Sequence, residues 1–158
     1  MQSNDGKQMG IIKNREQLIQ NGETKLDRRA RELALKSLEA AIKAVDPKLI
    51  IKSKVLLEGS SLRVGGYIFD LKKFENIYVV GGGKASGSMA EALEALLGKK
   101  ITDGFINVPR GSKHQTSMIR LNEASHPVPD KSGVEGAKRM LEMAEKAGEN
   151  DLLICLIS

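Results

Sequence analysis

The chain has 158 residues, enough for one ordinary domain with a sizeable core. Hydrophobic residues make up 41% and charged residues 28%, the balance of a soluble globular protein, and the net charge of +5 comes from Lys and Arg scattered among Asp and Glu. Aromatic content of 3% with no Trp excludes a base-stacking surface for single-stranded nucleic acid, and no apolar run approaches the ~20 residues of a membrane span.

One cysteine, Cys155, leaves no internal disulfide to form, and with His114 and His126 as the remaining soft ligands no zinc set is visible. The polar N-terminus has no signal-peptide core. These features place the chain in the cytoplasm, with neither nucleic acid nor membrane as partner. The basic cluster over 25–31, KLDRRAR, is broken by Asp27 and reads as a solvated helix face.

Residues 1–22 are polar and read as a flexible tail. Thr24 then caps a helix, with Asp27 as a capping-box-like partner. Leu26, Ala30, Leu33, Ala34, Leu38, Ala41, Ile42 and Val45 recur at three- and four-residue spacing, the amphipathic signature of a helix with one buried face. Asp46-Pro47 ends it and starts a second helix over 48–57. Residues 61–64 and 67–70, joined by Gly65-Gly66, read as a β-hairpin. A strand over 77–80 runs into Gly81, Gly82 and Gly83, then Lys84, then a helix whose expected buried face is Ala85, Met89, Ala92, Leu93, Leu96 and Leu97, with Gly98 as its left-handed stop. Strands follow over 104–108 and 118–122. Asp130 or Ser132 caps a helix that buries Val134, Ala137, Met140, Leu141 and Ala144, and the last strand covers 151–157.

From residue 77 onward strands alternate with helices. The expected fold is therefore α/β, a three-layer Rossmann-like domain with a mostly parallel sheet, preceded by N-terminal helices and a β-hairpin. Ligands in such folds bind at the carboxyl ends of the strands, where Gly81–Gly83, residues 109–111 and Ser158 are all expected.

The glycine turn is the most informative motif. Glycines let backbone N–H groups approach a ligand, the following helix offers unpaired donors, and Lys84 adds a cation. The expected guest is an anion, a carboxylate or a phosphate. Two named phosphate motifs do not fit. Ala85 follows Gly83-Lys84 where a Walker A loop needs Ser or Thr, and Tyr78 stands at its first glycine. Ser86 replaces the third glycine of a dinucleotide fingerprint, and the second strand ends Asn107-Val108-Pro109-Arg110 without the ribose-binding carboxylate. His126, in Ser125-His-Pro-Val-Pro-Asp130, either faces the cleft with Asp130 or belongs to a rigid turn whose Asp130 caps the next helix. His114 reads as a solvated loop residue. Cys155, in an apolar run, reads as a small core residue.

Three segments in this order, VVGGGKASGSMAEALE, HPVPDKSG and DLLICLIS, resemble the type II, MOFRL-containing glycerate 2-kinases, over about residues 28–158. The resemblance implies an enzyme that uses ATP and Mg²⁺ to phosphorylate the 2-hydroxyl of D-glycerate. It puts Lys84 in the catalytic role and Gly81, Gly82, Gly83, Ser86 and Ser158 at the substrate or phosphate, with His126 and Asp130 near the cleft and no metal ligand from this chain. Family members continue past the final Leu-Ile-Ser into a further glycine-rich loop and a second domain. Residues 23–158 are then expected to be the N-terminal domain of a longer protein, inactive alone and completed by a C-terminal domain or by another copy in a homo-oligomer. The alternatives are an NAD(P)-dependent hydroxypyruvate reductase, a name some family members have carried, and a non-catalytic anion-binding domain completed by another chain.

Overall fold

The structure, a computed structural model, describes residues 10–158. The start of the expected flexible tail, 1–9, lies outside the described residues. The chain divides into two compact units, Met1–Asp46 and Pro47–Ser158.

In the first unit, α1 (Arg15–Gln20) precedes α2 (Lys25–Ala44). No element was expected before Thr24, because Ile11 and Ile12 alone give no period. Arg15 nevertheless reaches Glu32 and Glu39 on α2, and Arg31 of α2 donates to the Leu18 carbonyl. Thr24 caps α2 as expected, its hydroxyl accepting the Asp27 N–H at 3.1 Å. The Asp27 carboxylate takes the N–H of Glu23, one residue before the capping-box position. The expected burial of the apolar stripe does not occur. Leu26, Leu33, Leu38, Ile42 and Val45 are exposed, and Leu35 is the buried residue of this helix.

The second unit opens with α3 (Pro47–Lys54). It stops three residues short of the expected end, because Val55–Glu58 is a strand, β1, that pairs with Ser61–Val64 (β2). The hairpin of β2 with Tyr67–Asp70 (β3) turns at Gly65-Gly66 as expected, so the two strands of the sequence pattern become a three-stranded antiparallel meander. Leu62 and Val55 join Ile51 of α3 and Leu71 in the main core.

The main sheet has four parallel strands in the order β6-β5-β4-β7: β4 is Asn76–Gly82, β5 Asp103–Pro109, β6 Ile119–Ala124 and β7 Asp151–Ile157. One face packs α4 (Ser86–Leu97): Val79, Ile106, Ile119 and Leu156 meet Ala90, Leu93 and Leu97 in the core cluster. The alternate residues of β5 and β6, among them Asn107 and Asn122, meet α5 (Lys131–Lys146). The α/β class with a parallel sheet read from the sequence is the observed one.

Three details differ from expectation. The β5–β6 connection carries no helix. Its loop is fastened to α4 instead, where the two oxygens of Glu94 accept the N–H groups of Ser117, Met118 and Ile119. Nor does α5 sit on Val134 and Leu141, which are exposed. It rests on Gly136, where an added Cβ would lie 1.9 Å from Asn107 Oδ1. Asn107 donates to the Gly133 carbonyl and Asn122 to that of Ser132, so amides, not alkyl groups, bond this end of the helix to the sheet. Finally, Cys155 is exposed. It lies on the face of β7 opposite the buried Leu156, and α5 packs over β4, β5 and β6. No helix among the described residues is long and apolar enough to cross a membrane.

The glycines of β4 give a direct test of this packing. A Cβ on Gly81 would lie 2.1 Å from the Leu156 carbonyl oxygen, whereas one on Gly82 would have Asn107 as its nearest neighbour at 3.7 Å. Gly81→Ala is expected to destabilise by about 2–3 kcal/mol, as overpacking against backbone does, and Gly82→Ala by less than about 1 kcal/mol. Urea denaturation of both variants checks the contrast, and equal losses would contradict it.

Candidate functional site

Along the chain the sheet grows from β4 to β5 to β6, then returns to the other side of β4 with β7. The strand order therefore reverses between β4 and β7. At such a reversal the connections leave in opposite directions and open a crevice at the carboxyl ends. The glycine turn sits there. Gly83, at φ 132°, takes a conformation that side chains rarely adopt, and a Cβ on it would fall 2.3 Å from Ser158 Oγ. Gly81 and Gly83 are thus glycines because β7 runs close beside them. Gly82 has room, so of the three glycines it alone is free of that packing demand.

Ser86 and Ser158 tie α4 to β7. The Ser86 hydroxyl is fully buried and donates to the Leu156 carbonyl at 3.0 Å. Ser158 Oγ accepts the Ala85 N–H at 2.9 Å and lies 3.5 Å from Ser86 Oγ. Ser86, expected at the phosphate, is thereby committed to the scaffold, while Ser158 remains exposed at the crevice.

The start of α4 is left electropositive. Its N-cap is Ala85, which has no side-chain acceptor, and its first turn holds no acidic residue. The unpaired N–H groups and the dipole of a helix N-terminus favour an anion. Lys84 is exposed beside it, and among the described residues its side chain makes no hydrogen bond or ion pair. On the β5 side, the Gly83 N–H donates to the Asn107 carbonyl, and a cavity of about 90 Å³ lies between Gly83, Asn107, Pro109, Ser125 and His126. His126 is exposed and lines this cavity. Asp130 caps α5 through the Gly133 N–H at 2.9 Å and also holds Arg110. The Gly133 N–H first, then the Arg110 guanidinium, pull its carboxyl from 3.8 down to about 2.

A second group of charges lies on α4. Glu91 accepts from Lys48 at 2.7 Å, from the Gln115 N–H at 2.8 Å and from His114 Nδ1 at 3.2 Å. The Lys48 ammonium is the main cause that takes the Glu91 carboxyl from 4.5 to about 2, with the Gln115 and His114 bonds adding to it. His114, expected to be solvated, is mostly buried, its ring lying where a Cβ on Gly87 would otherwise stand. The sequence offered one signal for this, two glutamates spaced three apart on an otherwise apolar helix. Arg110 was also passed over, since nothing in the sequence places it beside Asp130. No group of three or more His, Cys, Asp or Glu side chains able to hold a metal occurs among the described residues.

Residues 33–158 match the family described as Domain of unknown function (DUF4147). The chain belongs to the DUF4147 family. Among its relatives is a protein of Pyrococcus horikoshii named Glycerate 2-kinase, 35% identical over 128 residues, which cover 81% of this chain and 28% of that protein. A Putative hydroxypyruvate reductase of Agrobacterium vitis is 41% identical over 80 residues, covering 51% and 21%. A crystal structure of a Pyrococcus horikoshii OT3 protein superposes with a TM-score of 0.70 at 33% identity, over 80% of this chain and 28% of the other. The DUF4147 match and the relative named Glycerate 2-kinase bear out the resemblance to the glycerate 2-kinases. The chain spans less than a third of the length of the relatives it matches.

The Glu91 cluster generates a pH dependence with a definite sign. A carboxyl whose folded value lies below its unfolded one stabilises fully above the unfolded value, and that contribution is lost as pH falls toward the folded value. For Glu91 the window runs from 4.5 down to about 2. Between pH 6 and pH 3 the denaturation midpoint of the wild type is expected to fall more than that of Glu91→Gln, so the gap between them narrows. Parallel curves would contradict the assignment.

Proposed function

We propose that this chain is the N-terminal domain of an ATP-dependent glycerate 2-kinase, which transfers the γ-phosphoryl group of ATP to the 2-hydroxyl of D-glycerate. The name carried by the Pyrococcus horikoshii relative supports the reaction. The observation in this chain that carries it is the exposed Lys84 at the uncapped start of α4, beside the reversal of strand order. Phosphoryl transfer is mostly positioning and stabilisation of charge on oxygen. A fixed ammonium and a helix N-terminus supply both at one point, for the glycerate carboxylate or for the transferring phosphoryl oxygens.

Lys84 is assigned the catalytic contact. Gly82 lets the backbone of the turn come close to the bound anion, and Ser158 fixes the Ala85 N–H that begins α4. Gly81, Gly83 and Ser86 shape the crevice by locking β4 and α4 onto β7. Mg²⁺ accompanies ATP in such reactions, but Asp130 is committed to Gly133 and Arg110, so no residue of this chain is assigned to the metal. The site is completed by groups outside this chain, in keeping with a domain that closes on a partner domain around the phosphoryl group. The cytoplasm is the proposed compartment.

A reductase is the weaker reading. The relative with that name supports it over a shorter stretch, yet β5 ends in Val108-Pro109 and continues into Arg110, with no carboxylate for a nicotinamide ribose.

In the full-length protein, Lys84→Ala is expected to lower ATP- and D-glycerate-dependent ADP release by ~10²-fold or more, the usual effect of removing one preorganised charge contact. Lys84→Arg is expected to restore little, because a planar guanidinium replaces a point charge. Near-normal turnover of Lys84→Ala would remove Lys84 from the catalytic set. Oxidation of NAD(P)H by added hydroxypyruvate, with no ADP release from ATP and D-glycerate, would favour the reductase.

A further inference from the structure

The carboxyl edge of the sheet carries a second cation that neither the glycine motif nor the resemblance assigns. Arg110 follows β5 directly, and its backbone N–H donates to the Ala124 carbonyl, which extends the β5–β6 pairing one step past the end of β5. The turn after it is fixed by Gly111, at φ 74°, whose N–H reaches Glu123 Oε2 at 3.2 Å. The Arg110 side chain is held at one nitrogen, Nη2, by Asp130 Oδ2. Asp130 is itself pinned by the Gly133 N–H through its other oxygen. A guanidinium has five donors in a rigid fork. One of them is held by Asp130, and with the side chain 65% exposed the others are open to solvent.

A cavity lined by Gly83, Asn107, Pro109, Ser125 and His126 lies at the same strand ends, and Pro109 joins it in sequence to Arg110. At about 90 Å³ it is far smaller than a pocket for a whole nucleotide, and it suits a single charged group. Of the two carboxylates nearby, Asp130 is spent on Gly133 and Arg110, and Glu123 is bonded to the Gly111 N–H.

We propose that Arg110, oriented by Asp130, is a second oxyanion contact of the crevice, acting from the β5 side while Lys84 acts from the β4 side. The oxyanion is either the carboxylate of the acceptor or a phosphoryl oxygen of the donor. Arg110 touches the substrate, and Asp130 is a positioning residue. The proposal rests on the kinase reading for the identity of those substrates.

The test is steady-state kinetics of the full-length protein with Arg110→Gln, Arg110→Lys and Asp130→Asn, the last retaining a side chain that caps α5. Loss of a hydrogen bond to a charged group predicts a rise in one KM of about 10- to 100-fold for Arg110→Gln, a partial recovery in Arg110→Lys, and a smaller rise in the same KM for Asp130→Asn. A rise confined to D-glycerate assigns the carboxylate, and one confined to ATP assigns the phosphoryl group. Both KM values unchanged within twofold would overturn the proposal, as would a fall in thermal midpoint with no change in KM. If the wild type releases no ADP with glycerate, the kinase reading fails, and calorimetric titration with D-glycerate and with inorganic pyrophosphate decides the site. Binding by the wild type that weakens tenfold or more in Arg110→Gln upholds it. Equal binding, or none by the wild type, overturns it.

Discussion

The backbone of β7 lies so close to the end of β4 that two of the three glycines cannot be replaced without moving it. Gly81 faces the Leu156 carbonyl and Gly83 faces Ser158, each at a distance no Cβ tolerates. The rest of the site depends on this contact. Because β4 and β7 meet on bare backbone, Ser86 can reach across to Leu156 and Ser158 can reach back to the Ala85 N–H. Those two bonds set where α4 begins. The helix then starts at a residue without a capping side chain, and its positive end opens beside Lys84. The anion site is thus a consequence of strand packing as much as of a ligand-binding loop.

That relation also shows what the sequence could and could not reveal. The glycine turn, the strand before it and the helix after it were legible, because apolar runs and glycine stops report local geometry directly. Legible too was the Asp130 cap, since the residue type and the position agree. What the glycines pack against was not legible, because Leu156 and Ser158 are more than seventy positions away. The same reason hid Arg110 beside Asp130 and His114 against Gly87: both contacts are made by loops, which carry no period to read. The apolar stripe of α2 misled differently. Periodicity shows that a face is apolar, and Leu26, Leu33 and Leu38 remain exposed although the stripe is regular.

Polar side chains do structural work here that hydrophobic patterning does not anticipate. Glu94 replaces a crossover helix by holding three backbone donors of the β5–β6 loop. Asn107 and Asn122, register partners in the middle of β5 and β6, carry the first turns of α5 on amide bonds. A small residue at Gly136 is what lets that helix come down onto them. The Glu94 device fixes the amino end of β6, while the amide pair leaves the start of α5 toward the carboxyl edge of the sheet, the edge that also carries Lys84, Arg110 and His126.

The central claim is that an oxyanion binds where the strand order reverses, at Lys84 and the start of α4. A crystal structure of the full-length protein with D-glycerate and a non-hydrolysable ATP analogue tests it most directly. The account predicts a carboxylate or phosphoryl oxygen at about 2.7–3.1 Å from Lys84 Nζ, close to the Gly82–Gly83 backbone. Substrate bound elsewhere on the domain, for example in the groove between Phe105 and Arg139, with Lys84 left in solvent, would contradict it.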